Sequence, residues 1–258
     1  MRPLWTGTIG FGLVNIPVKL YSATQGSELD LDMLDAKDHS NIKFMRVNGK
    51  TGKEVPYKSI VKGYKIDDSY VILDQKDFDA ASAVKTKVIE ISDFVLETEI
   101  DSVYFETPYY LAPEKSGVRA YALLREALQK TGKVGVATFV MRNKENLAIL
   151  RVSGDVIILN RLRFAEEIRN TEELELPAAS TVKANELKMA ISLVNQLSGK
   201  FEVSKYTDTY TAELLKLIKI KAKGGKTKAP QMKVVHSKAK DLMAQLKESL
   251  ESKSKKVS

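Results

Sequence analysis

Residues 6–24 read TGTIGFGLVNIPVKLYSAT, and the fold turns on how this stretch is read. It is rich in apolar and β-branched residues and is interrupted by Gly7, Gly10, Gly12 and Pro17. Glycine permits bends and Pro17 removes one ladder donor, so the stretch predicts a pair of extended strands with a turn between them. The glycine spacing is G-x-x-G-x-G rather than the G-x-G-x-x-G of a dinucleotide cradle. No helix can start cleanly after it, because Asn15-Ile16-Pro17-Val18 follows. A nucleotide-binding turn is therefore not expected here.

Outward from this stretch, the composition bounds the answer. The chain has 258 residues, 43% hydrophobic and 29% charged, enough for one sizeable core plus a smaller helical part. No apolar run is long enough to span a bilayer, and Arg2 and Pro3 lead straight into a strand rather than a signal peptide. Cysteine is absent, which removes disulfides and thiolate metal sites and fits a reducing compartment.

The net charge of +8 is unevenly placed. Residues 221–258 hold eleven Lys against Asp241, Glu248 and Glu251, so the whole excess sits in the tail and residues 1–220 are neutral. Within that neutral body the signs are segregated. Between Asn41 and Ile66 stand Lys43, Arg46, Lys50, Lys53, Lys58, Lys62 and Lys65, with Glu54 as the one acid. Acids gather at 28–38, 67–79, 90–106 and 166–175. Segregation of this kind predicts one positive and one negative face.

Along the chain, 42–47, 59–64 and 70–73 read as strands, the first pair joined by the Asn48-Gly49 turn. This is a long basic excursion. It is either a solvated hairpin with Lys protecting an edge, or a ribbon following phosphates without reading bases. Residues 75–83 predict a short helix, 85–95 a half-buried strand, and 100–104 and 109–113 further extended pieces. Residues 116–131 predict a helix with Leu123, Leu124, Ala127 and Leu128 on its apolar side and Gly132 at its end. An antiparallel meander follows over 135–142, 147–152 and 156–164, turning at 143–146 and 153–155. It carries Arg142, Lys144, Arg161 and Arg163, placed either to meet phosphates or to pair with nearby carboxylates. Helices are predicted over 181–197 and 207–221. In the second, Leu214, Leu215, Leu217 and Ile218 spread over so wide a surface that a subunit contact is indicated. Beyond Lys221 comes a flexible basic linker, then a short amphipathic stretch with Leu242, Met243, Leu246 and Leu250 on one side. Too short to be a stable helix alone, it is suited to folding on a partner.

Several functions lose their chemistry here. The imidazoles are His39, in a polar loop, and His236, in the tail. Gly225-Lys226-Thr227 lacks the earlier glycine of a P-loop, since Ile220 stands there. The carboxylate spacing fits exposed faces, so no enzymatic activity, cofactor or metal is expected.

Trp5, Gly7, Ile9, Phe11, Gly12, Leu13, Val14, Ile16, Pro17 and Val18 fit a Trp-x-Gly-x-Ile-x-Phe-Gly-Leu-Val-x-Ile-Pro-Val pattern. Thr51-Gly52-x-Glu54-Val55, Ile60-Val61-Lys62-Gly63-Tyr64, Tyr109-Tyr110-Leu111-x-Pro113 and Phe201…Tyr206-x-Asp208-x-Tyr210 extend the match. By these motifs the chain resembles the prokaryotic Ku family from residue 1 to about 221. The resemblance implies a mixed α and β fold with an antiparallel β-barrel core over 1–178, including a bridge at about 41–73 that passes over DNA. It implies a helical dimerisation arm over 179–221 and a flexible Lys-rich tail over 222–258. It implies a ring-shaped homodimer that binds double-stranded DNA ends in non-homologous end joining, in the cytoplasm at the nucleoid. The implied partner is an ATP-dependent DNA ligase, which the Leu242, Met243, Leu246 and Leu250 face is expected to dock. The sequence opens directly at the barrel, so the extra N-terminal α/β domain of eukaryotic Ku subunits is not expected. An RNA- or single-strand-binding barrel and a purely structural barrel remain as alternatives, the first predicting aromatic stacking on unpaired bases.

Overall fold

A computed structural model describes residues 1–81, 87–178, 182–225, 245–247 and 249. The opening stretch forms β1 (Trp5–Phe11) and β2 (Val14–Ser22), an antiparallel hairpin pairing Trp5 with Leu20 and Phe11 with Val14. Pro17 is accommodated because its missing N–H would point away from β1. On that side its carbonyl accepts from the Glu114 amide at 2.9 Å, and Gly117 packs against it. Gly7 is required by a close approach rather than by a kink. A Cβ there would stand 2.3 Å from the carbonyl oxygen of Lys87.

Five further strands complete a closed barrel: β5 (Val88–Leu96), β6 (Phe105–Pro113), β7 (Lys133–Met141), β8 (Lys144–Ser153) and β9 (Val156–Leu162). The order around the barrel is β1-β2-β6-β9-β8-β7-β5. Every neighbouring pair is antiparallel except β1 and β5, which run parallel and close the cylinder from Thr8↔Val88 to Gly10↔Glu90. The expected barrel is present, with one parallel seam that no local pattern announces.

Alternation decides what the barrel encloses. Ile9, Ile16, Val18, Leu20, Leu111, Leu150, Ile157 and Leu159 belong to one fully buried cluster. Ile149 and Leu162 alternate to the other face, where Val95, Ile100, Tyr104 and Phe105 pack on them. That cover is made partly of 3₁₀ turns at Glu97–Glu99 and Ser102–Tyr104, so the extended piece expected at 100–104 is in fact turns.

One end of the barrel carries α2 (Val118–Thr131), ended by Gly132 at φ 65°. Its inner residues are Tyr121, Leu124 and Leu128, whereas the predicted Leu123 is 66% exposed. The Tyr121 hydroxyl donates to the Leu111 carbonyl at 2.7 Å and accepts from the Ile157 amide at 2.7 Å. A single phenol thus ties the helix to paired positions of β6 and β9.

Between β2 and β5 the chain leaves the barrel. β3 (Lys62–Ile66) and β4 (Ser69–Leu73) form a two-stranded ribbon, followed by α1 (Gln75–Ala81). Residues 42–47, expected as a strand, are irregular. Only isolated bridges hold that part, at Leu34↔Asn41 and Val47↔Glu54. The Asn48 side chain accepts from the Lys50 and Thr51 amides and shapes the predicted turn. The first expected strand pair is therefore a turn with a single rung, and 57–59 is a 3₁₀ turn.

The chain divides into two compact units. One comprises 1–26 and 30–170, and the other comprises 27–29 and 171–258. The second holds α3 (Ala184–Leu197) and α4 (Thr209–Ala222). Asp208 caps α4, its carboxylate accepting from the Thr211 amide at 3.0 Å and from the Thr211 hydroxyl, and these bonds hold its pKa below the usual carboxylate value. Neither helix has a buried residue. Among the described residues no helix is long and apolar enough to cross a membrane.

Candidate nucleic-acid interface

The predicted basic residues of the excursion, Lys43, Arg46, Lys50, Lys53, Lys58, Lys62 and Lys65, are all exposed. Among the described residues none of them forms an ion pair. Two stand over aromatic rings instead: Arg46 over Tyr57 at 5.2 Å and Lys62 over Phe78 at 4.8 Å. Their charges are unpaired within residues 41–66, which carry seven cations against Glu54. The same segment exposes large apolar side chains, Phe44 at 80%, Tyr57 at 77% and Tyr64 at 67% among them. These apolar side chains stand uncovered beside the cations.

The barrel contributes a second basic group. β7 and β8 are joined by Arg142 and Asn143, both left-handed at φ 54° and 63°, with Met141 paired to Lys144. This two-residue turn replaces the turn expected at 143–146, and Lys144 and Asn146 instead belong to β8. The shift has a chemical result. Pairing places Asn146 opposite Phe139 and Arg161 opposite Ala148, so Lys144, Asn146 and Arg161 face inward at the end of the barrel away from α2. A cavity of about 310 Å³ opens there, lined by Tyr109, Arg142, Lys144, Asn146 and Arg161 among others.

Glu106 organises the guanidiniums. It sits where the β6–β9 register shifts between Phe105 and Pro108. One of its oxygens accepts from Arg161 and the other from Arg163 at 2.6 Å. The two arginines are therefore neither free nor fully neutralised, since they share one carboxylate. Lys144 lies 3.7 Å from Glu167. The Phe164 amide holds the Glu167 carboxyl below its ordinary value against an opposing desolvation, with lesser help from Lys144, Arg163 and Arg161.

Arg142 also lines a second cleft of about 520 Å³ at the root of the excursion, together with Lys62, Asp74 and Phe78. It thereby connects the excursion group to the barrel group, two sets that stand apart in the sequence.

Of the expected dimerisation residues, Leu214 is half-buried, and Leu215, Leu217 and Ile218 are exposed at 39%, 37% and 39%. Of the expected docking face, Leu246 is helical and half-buried. Leu242, Met243 and Leu250 lie outside the described residues. Sequence reasoning missed Glu106, which stands among other acids in the 90–106 cluster, and Tyr109 and Asn146, which carry no charge to mark them.

The Ku70/Ku80 beta-barrel domain family matches residues 10–189. A non-homologous end joining protein Ku of Coxiella burnetii is 40% identical over 98% of this chain and 96% of its own length. The Ku protein of Opitutus terrae is 41% identical over 97% and 91% respectively, and that of Bacillus subtilis is 40% identical over 88% and 74%. The likeness extends over most of the chain, and this chain belongs to the Ku family.

Proposed function

We propose that this chain binds the ends of double-stranded DNA, without base specificity, as a homodimer acting in non-homologous end joining. The relatives that match it are named for that process. The observation that carries the reading is the path of cations from Lys62 through Arg142 to Lys144, Arg161 and Arg163. Lys and Arg on a ribbon and a barrel rim supply phosphate contacts, which position a duplex without reading it. The exposed apolar residues of the excursion and of α4 support a second copy as their cover, with the two copies closing a ring around the duplex. The stretch bearing Leu242, Met243, Leu246 and Leu250 then serves as the dock for an ATP-dependent DNA ligase. Mobility-shift assays with linear duplex, closed circular duplex and single strand, run side by side, test this. Linear duplex should be bound at far lower protein concentration than the other two. Equal binding of the circle would contradict end recognition, and a preference for single strand would favour stacking on Tyr57, Tyr64 and Tyr70 instead.

A further inference from the structure

The two ends of the barrel differ. α2 packs across one, whereas the other opens onto the cavity of about 310 Å³ bordered by Arg142, Lys144 and Arg161. Barrel mouths and small, partly apolar cavities with a few convergent polar groups are where ligands bind. Tyr109, on the cavity wall, is 7% exposed, yet its hydroxyl has no hydrogen-bond partner among the described residues. Asn146 is 5% exposed and donates to the Lys144 carbonyl at 2.7 Å, and its amide oxygen accepts from no described residue. Neither atom is sealed from solvent, so both are open to a ligand that enters the cavity.

The charge at the mouth narrows the partner. Arg142, Lys144, Arg161 and Arg163 bring four cations, and the paired carboxylates Glu106 and Glu167 leave an excess of two. A phosphodiester in a strand carries one negative charge, whereas a phosphomonoester carries nearly two at neutral pH, its second pKa being about 6. We propose that the barrel mouth is a phosphomonoester site. In it Arg142, Lys144 and Arg161 neutralise the dianion and the Tyr109 hydroxyl donates to one of its oxygens. The site rests on the reading of these cations as phosphate contacts and goes beyond it. A terminal phosphate, rather than a mid-strand one, is the matched ligand, carried either by a DNA end or by a free nucleotide.

Two arms test it on the full-length protein. In the first, inorganic phosphate is titrated at constant ionic strength without DNA and its ³¹P linewidth is followed. Saturable broadening is expected, weakened by about tenfold or more in Tyr109→Phe and in Arg142→Gln, as for loss of one hydrogen bond to a charged group. No saturable broadening, or the same curve in both variants, would overturn the site. In the second arm, blunt duplexes of one sequence carrying a 5′-phosphate, a 3′-phosphate or neither compete for the protein. A preference for a phosphorylated end that disappears in both variants assigns the site to the DNA terminus. Equal competition alongside saturable broadening assigns it to a free phosphomonoester. Failure of every duplex to bind would contradict the DNA-end reading, while the first arm would still decide the pocket.

Discussion

Arg163 meets Glu106 at 2.6 Å across the end of the barrel, on the oxygen that Arg161 does not use. The carboxylate is mostly covered and bonded on both sides, so it holds two guanidiniums in fixed places. Glu106→Gln keeps the shape and removes the charge. It should cost roughly 1–3 kcal/mol of stability, as removal of charge-assisted hydrogen bonds does. Urea unfolding reads this directly, and an unchanged midpoint would mean that the arginines are held by something else.

The Tyr121 phenol offers a second test. Tyr121→Phe leaves the Ile157 amide and the Leu111 carbonyl without their partner under α2, at a cost of about 1–3 kcal/mol. Burial raises the Tyr121 pKa above its ordinary value of 10.0, against the Ile157 hydrogen bond and the charge of Arg125. A raised folded pKa favours the protonated form in the folded state. Its contribution is complete below pH 10 and is lost as pH climbs through the folded value. Wild-type protein should therefore lose stability at alkaline pH more steeply than Tyr121→Phe, as measured by thermal unfolding from about pH 9 to about pH 11.

The parallel seam makes Gly7 critical. A methyl group there meets the Lys87 carbonyl oxygen, which accepts the Thr8 amide at 2.8 Å, and the Trp5 ring. Gly7→Ala must push β1 from β5 or displace the indole. It should lower stability by about 2–3 kcal/mol, the upper part of the overpacking range, because backbone stands in the way. Gly12→Ala, at an open turn with φ 57°, should cost about 1 kcal/mol from backbone strain alone. Similar losses in the two variants would argue against the close approach.

The excursion predicts a salt effect. Lys50, Lys53 and Lys58 are exposed and lack ion pairs among the described residues. Replacing all three with Ala should weaken binding to every duplex sequence alike. For every phosphate that the variant no longer neutralises, the slope of log affinity against log salt should flatten by about 0.9. Fluorescence anisotropy over a salt series measures it, and an unchanged slope would direct attention to Arg142 and Lys144.

What the sequence made legible follows its range of interaction. β1 and β2 are plain in Thr6–Thr24, and the meander β7–β9 is plain because its pairs are separated by short turns. α2 is visible from its spacing and Gly132. Positions decided by distant partners were hidden. Leu123 matches the apolar period but faces outward, because the barrel end takes Tyr121, Leu124 and Leu128 instead. Ile42–Val47 has strand composition yet lacks a neighbouring strand, and propensity without a ladder yields none. The parallel seam brings Thr8 beside Val88, far apart in sequence. On the candidate interface, the basic residues were visible by type, but their grouping was not. Arg142 joins two sets only because the β7–β8 turn falls at 142–143, and Glu106 is an ordinary surface acid until β6 lies beside β9.

The claim that a closed dimer encircles DNA is tested most directly by trapping. Protein is loaded on a linear fragment, the ends are then ligated into a circle, and the complex is washed in high salt. Encirclement predicts that protein stays on the circle and leaves the unligated fragment, since salt abolishes phosphate contacts but cannot open the ring. Equal release from circle and fragment would contradict the account.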